Sequence, residues 1–213
     1  MKPLFFLLPF LTLFSFFVSA QVYTLPNLPF ATSAYEPFVD AQTMEIHHGK
    51  HHGAYVNNLN KAITGTAMEK ISMNDLLMYA SFRSASVRNN AGGHYNHSLF
   101  WDILAPTAAQ KPISSTLETA IINQFKSLDS VKAAINAAAT TRFGSGWAWL
   151  VVTPEGKLAV YSTANQDNPI MDISKDIDCP LNQYICQVFC TFKISRELPH
   201  PVVGSNLSGR GTV

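Results

Sequence analysis

Apolar positions recur along this chain in several rhythms, and each predicts a different element. Residues 4–17 are almost continuously apolar, behind a cationic Lys2 and ahead of Val18, Ser19 and Ala20. A charged start, a short apolar core and small residues before a cleavage point predict a secretory signal over 1–20, removed before Gln21. The run is too short, and too interrupted by Pro9, Thr12 and Ser15, to predict a membrane span. Residues 22–38 carry Pro26, Pro29 and Pro37 and read as an extended lead-in. Over 41–64 the rhythm changes. Met44, His47, His51, Tyr55, Leu59 and Ile63 recur at steps of three or four, the period of an amphipathic helix. Gly49 and Gly53 weaken it by roughly 1 kcal/mol each relative to Ala, and Gly65 is a natural stop.

Residues 72–88 begin with a cap-like Ser72 and carry Leu76, Leu77, Tyr79, Ala80 and Phe82, which predicts a second, irregular helical stretch. Gly92-Gly93 predicts a break before a run with His94, His97, Leu99, Phe100 and Trp101. Helices packed antiparallel, ending near Pro106, follow from this pattern. Residues 115–141 are alanine-rich with Leu117, Ile121, Phe125, Leu128, Val131 and Ile135, enough for one or two helices. Then G-W-A-W-L-V-V at 146–152, a Pro154-Glu155-Gly156 turn and residues 157–162 predict a β-hairpin. Over 184–194 the even positions are all apolar and the odd ones mostly polar, which fits a strand. From Pro199 onward Gly, Ser and Pro predict disorder.

The fold class expected is α+β. A signal peptide (1–20) precedes an N-terminal antiparallel helical hairpin domain (21–108). A smaller α/β domain with a short antiparallel sheet (109–171) follows, incomplete at its C-terminal end, and then a divergent tail (172–213).

Charge narrows the partners. Fifteen basic against fourteen acidic residues leave a net charge of +1. That argues against nucleic acid and against a membrane surface once the signal is removed, while a local basic patch can still steer a small anion. The three cysteines, Cys179, Cys186 and Cys190, all fall in the tail, which is not the spread of a secreted disulfide framework.

The chemistry lies in the histidines. Four of the seven sit in E-I-H-H-G-K-H-H-G-A-Y, residues 45–55. On an α-helix His47, His51 and Tyr55, at i, i+4 and i+8, share one face. Neutral imidazole is the commonest protein ligand of transition metals. Spacing alone therefore suggests a His47–His51 chelate, with a phenol beside it for proton handling. A polar helix face with surface histidines remains the plain alternative.

Five segments together point further. They are Y-T-L-P-N-L-P-F-A (23–31), M-E-I-H-H-G-K-H-H-G-A-Y-V (44–56), N-N-A-G-G-H-Y-N-H-S-L-F-W (89–101), G-S-G-W-A-W-L-V (144–151) and S-T-A-N-Q-D-N-P (162–169). In order and spacing the chain resembles the iron/manganese superoxide dismutases from about Val22 to about Met171. The resemblance implies metal-dependent disproportionation of superoxide to dioxygen and hydrogen peroxide, with one manganese or iron ion per subunit. It implies that His47 and His97 are metal ligands from different helices. His51 and Tyr55 are implied to support the site and its channel, Tyr55 gating substrate. Trp101, Trp147 and Trp149 are implied to wall the pocket, and Lys50 to steer the superoxide anion. A glutamine against the solvent on the metal comes from one of two places in this family. The iron-type position is occupied here by Gly93 and the manganese-type position by Gln166, which implies manganese.

The resemblance stops at the end. The family's Asp-x-Trp-Glu-His-Ala-Tyr-Tyr segment, with its third and fourth ligands, is not in this sequence. Unrelated residues replace the family's third strand and closing helices. Three readings stay open: a frameshifted or mis-spliced terminus, a catalytically inactive relative that binds metal weakly or serves interactions, or a site repaired by Asp172, Asp176, Asp178 or His200. Members usually pair through the missing segment, so a homodimer is expected to be weakened. The signal implies a secreted or periplasmic protein.

Overall fold

Asp40, Ser72, Ser84, Ser114 and Ser127 each accept a hydrogen bond from the backbone N–H three residues on, and a helix starts at the next residue. Such caps satisfy N–H groups that the helix itself leaves open. They launch α1 (Ala41–Glu45), α3 (Met73–Met78), α4 (Ala85–Ile103), α5 (Ser115–Phe125) and α6 (Leu128–Thr141). A widened turn, Ile46–His52, joins α1 to α2 (Gly53–Ile63) as one helical run. Gly65, at φ +74°, turns the chain after α2, and Lys126, in the left-handed region at φ 73°, separates α5 from α6. The computed structural model describes residues 22–106, 109 and 112–173, and the backbone of 188–192. The expected signal segment, the stretch from Pro199 for which disorder is expected, and Asp176, Asp178 and His200 lie outside these residues.

The expected break at Gly92-Gly93 does not occur. Helix α4 runs straight through both glycines. The reason is packing rather than chain reversal. A Cβ on Gly92 would sit 2.1 Å from the backbone oxygen of Gln166, and one on Gly93 would sit 2.5 Å from the ring of Tyr55. Both residues are glycine because other chain segments press on the helix there.

The hairpin is as predicted: β1 (Gly146–Val152) pairs antiparallel with β2 (Leu158–Ala164), Gly146 opposite Ala164 and Val152 opposite Leu158. A third strand, β3 (Val188–Phe192), pairs antiparallel on the other edge of β1, giving the order β2-β1-β3. It falls inside the alternating stretch 184–194. A strand therefore occupies this edge although the family's segment is absent from the sequence. Strand β1 is buried on both faces. Ala148 and Leu150 pack with Ile121, Val131 and Ile135 of α5 and α6. Trp147, Trp149 and Val151 pack with Phe100, Trp101 and Met44 on the opposite face. A separate cluster, Leu59, Ile63, Leu76, Leu77, Val87 and Ala91, holds α2, α3 and α4 together. Helix α4 thus lies between the α2 layer and the sheet, which explains why its buried residues surround much of its circumference.

A polar network bolts the segment after β2 to α4. Arg88 Nε and Nη2 donate to the two carboxylate oxygens of Asp167 at 2.8 and 2.6 Å. Asn96 Nδ2 donates to the Gln166 carbonyl at 3.0 Å, and Asn168 Nδ2 donates to Asn96 Oδ1 at 2.9 Å. Thr163 Oγ1 accepts from Trp149 Nε1 at 2.8 Å and donates to the Asp167 carbonyl at 2.6 Å. Asn96 and Asn168 are fully buried, so each bond lost strands a polar partner away from water.

Two stability predictions follow from these contacts. Gly92→Ala should destabilise the fold by about 1–3 kcal/mol through overpacking, read as a lowered urea midpoint with unchanged slope. Asn96→Ala should cost about 1–3 kcal/mol by leaving the Gln166 carbonyl and the Asn168 amide unsatisfied. A midpoint equal to wild type in either variant would contradict the corresponding contact.

Candidate metal centre

The histidine run folds as a π-helical turn, not an α-helical one. In an α-helix, five residues carry a side chain about 140° past its starting direction. Bonding from i to i+5 widens the turn and brings i+5 back toward the face of i. His47 and His52, five apart, are both buried, at 8% and 0% exposure, while His51 is exposed. This corrects the expectation that His47 and His51 share the inward face. His51 stays beside His47, ring centroids 6.2 Å apart, but at the outer edge. Lys50 is exposed next to it. Inserted π turns are a recurrent feature of functional sites, and here one sets which histidines face inward.

His47 meets His97 of α4 edge to face, with ring centroids 4.9 Å apart. His97 Nδ1 lies 2.7 Å from the Gly93 carbonyl, one turn back on the same helix. A carbonyl can only accept, so Nδ1 carries the proton and Nε2 keeps its lone pair as a ligand atom. Around the pair stand Trp101, 5.0 Å from the His47 ring, and Trp147, 5.1 Å from the His97 ring. Trp149 stacks behind Trp147 at 5.9 Å. Burial in this wall pushes His47 down to about 2, helped by the neighbouring imidazoles His97 and His51, and burial pushes His97 down to about 4 although its bond to Gly93 resists. Both rings are therefore neutral at physiological pH, the state in which imidazole binds a metal ion.

Two further groups reach the site across the glycine pair. The Tyr55 ring lies against Gly93 and stands 5.2 Å from the His97 ring. Burial raises its phenol above the ordinary tyrosine value, so it remains a proton donor. Gln166 Oε1 accepts from Trp147 Nε1 at 3.1 Å, which leaves the amide nitrogen as the donor this side chain can offer. A side chain at Gly93 would have to shift the Tyr55 ring, and the glutamine of this site comes from the opposite side, at Gln166.

Sequence reasoning missed His52 and His94. Trp101 Nε1 donates to His52 Nδ1 at 2.9 Å, and His52 Nε2 lies 2.8 Å from His94 Nδ1. The His52 ring stacks on His97 at 5.5 Å and 27°. Burial holds His52 at about 3 and lowers His94 too, so neither carries charge at physiological pH. For His52 the signal was present in the run, in the second histidine of the second pair, but an α-helical period assigns it to the wrong face.

The buried neutral pair His47 and His97, with the His97 lone pair on Nε2, fits part of a first-row transition-metal site. Among the described residues no group of three His, Cys, Asp or Glu side chains converges. Asp172 does not repair the set. Its carboxylate is held by the Ser81 backbone N–H at 2.9 Å and by the Ser81 hydroxyl.

Comparison with known proteins agrees with this geometry. Residues 22–105 match the family model for the iron/manganese superoxide dismutase alpha-hairpin domain, and 113–183 match the C-terminal domain of the same family. The chain is similar to a manganese superoxide dismutase of Acinetobacter baylyi, at 53% identity over 72% of this chain and 68% of that protein. It is similar to an iron superoxide dismutase of Raoultella planticola at 48% identity, over 71% of this chain and 91% of the relative. A manganese/iron superoxide dismutase of Methylomonas is 51% identical over 70% of this chain and 75% of its own length. With both domain models matched in order, and His47 of the π turn meeting His97 of α4, the chain belongs to the iron/manganese superoxide dismutase family.

Proposed function

We propose that the mature chain is an exported superoxide dismutase, with His47 and His97 as ligands of one manganese or iron ion. The observation that carries the reading is the pair of buried, neutral imidazoles contributed by separate helices and enclosed by Tyr55, Gln166 and three tryptophans. When bound, the ion supplies one-electron exchange with superoxide in both directions. The protein's own residues do the rest. Trp101, Trp147 and Trp149 exclude water and lower the local dielectric. Tyr55 holds a proton on its phenol beside His97, and Gln166 offers an amide N–H fixed by its bond to Trp147. Exposed Lys50 and His51 lie at the outer edge of the same turn, where a cation attracts a small anion.

Gln166 supports manganese over iron, because it fills the manganese-type place and binds Trp147 there, while Gly93 stands at the iron-type place. The apolar run over 4–17 behind Lys2 supports export. A weakened homodimer is the assembly proposed.

The mature chain, loaded with manganese and in parallel with iron, should consume superoxide in proportion to bound metal, with the manganese form faster. His47→Gln and His97→Gln should each lose stoichiometric metal together with activity. Metal uptake without turnover in the wild-type chain would instead establish the alternative, an inactive relative that retains part of the ligand set.

A further inference from the structure

We propose that His52 is a positioning residue, locked in one tautomer by Trp101, which fixes the plane of the His97 ring and thereby the direction of its Nε2 lone pair. The proposal rests on the reading of His97 as a ligand. The direction of each bond follows from chemistry. An indole N–H can only donate, so Trp101 Nε1, 2.9 Å away, requires His52 Nδ1 to be the acceptor. A neutral imidazole then carries its proton on Nε2, which donates to His94 Nδ1 at 2.8 Å. His94 in turn must hold its proton on Nε2, and the Ser98 hydroxyl approaches the same accepting Nδ1 at 3.4 Å. One fixed donor thus sets two tautomers in series.

The geometry connects this ladder to the metal pair. His52 is fully buried and lies over His97 with ring planes 27° apart. The Gly93 carbonyl holds Nδ1 of His97 and so sets one edge of the ring. A flat imidazole pinned at both of its own nitrogens sets the plane of that ring from above. The π turn is what makes this arrangement available, since it places His52 inward beside His47. The ladder also ties the helical run of His47 to α4, so both ligands share one support.

The test begins with the metal-free protein. Long-range proton–nitrogen correlation of the imidazole rings, with His52 assigned by its loss in His52→Phe, should show His52 protonated on Nε2 alone. In Trp101→Phe, the His52 signals should shift to a mixture of tautomers and manganese affinity, measured by chelator competition, should fall about tenfold, as for loss of other outer supports. Trp149→Phe removes an indole N–H that serves Thr163 instead, and should leave the His52 tautomer unchanged. A wild-type His52 protonated on Nδ1 would overturn the proposal, whether or not Trp101→Phe folds. So would Trp101→Phe with wild-type manganese affinity. A single His52 tautomer in the wild-type chain and the affinity loss in Trp101→Phe, with no superoxide consumed by the wild-type chain, would sink the dismutase reading and support the ladder.

Discussion

The site depends on one close approach. Helix α4 can lie against both the Tyr55 ring and the Gln166 backbone because Gly92 and Gly93 present no Cβ to either. Any larger pair would drive α4 away from α2 on one side and from the hairpin segment on the other. His97 would then retreat from His47, since the two rings meet across the same gap. The local cost is two glycines inside a helix, roughly 1 kcal/mol each relative to alanine. It is offset by buried packing of Val87, Ala91, Phe100 and Trp101 along the remaining faces of α4. Close approach here is a property of the backbone, and the chemistry inherits it.

Around that contact, polar bonds do what apolar packing cannot. Hydrophobic clusters hold the layers together but are tolerant of small sliding movements. The Arg88–Asp167 pair, the Asn96–Asn168 bridge and the Trp149–Thr163–Asp167 chain are directional. They fix the stretch that carries Gln166 at both ends. Each tryptophan of the pocket wall spends its N–H on a different partner: Trp101 on His52, Trp147 on Gln166, Trp149 on Thr163. The three residues read from the sequence as a wall are therefore also three donors that orient their neighbours, a role that burial of an indole demands.

The sequence made some of this legible and hid the rest for identifiable reasons. His47, His97, Gln166 and the hairpin were readable because motif order and strand alternation survive without knowledge of tertiary contacts. Gly92-Gly93 read as a break because glycine lowers helix propensity, and propensity carries no information about what presses on the helix from outside. His52 and His94 were hidden for a different reason. A 3.6-residue period puts His51 inward, and one π turn exchanges its place with His52. The strand at Val188–Phe192 was legible as alternation, although the residues that form it do not continue the family pattern.

Electrostatics sets what the rest of the ligand sphere must provide. His47 and His97 are neutral when buried, so they donate lone pairs without adding negative charge. A di- or trivalent ion among neutral rings and indoles is an uncompensated charge in a low-dielectric surround, which is costly. Asp172, the one repair candidate among the described residues, is engaged elsewhere, by Ser81, and Asp167 is paired with Arg88. Trivalent metal should suffer more than divalent, because charging cost in a given cavity rises with the square of the charge. The two imidazoles by themselves therefore favour the reduced ion, and a cycle that visits both oxidation states draws on an anionic donor in addition to them. The charge of the completed ligand sphere therefore sets the balance between the two oxidation states.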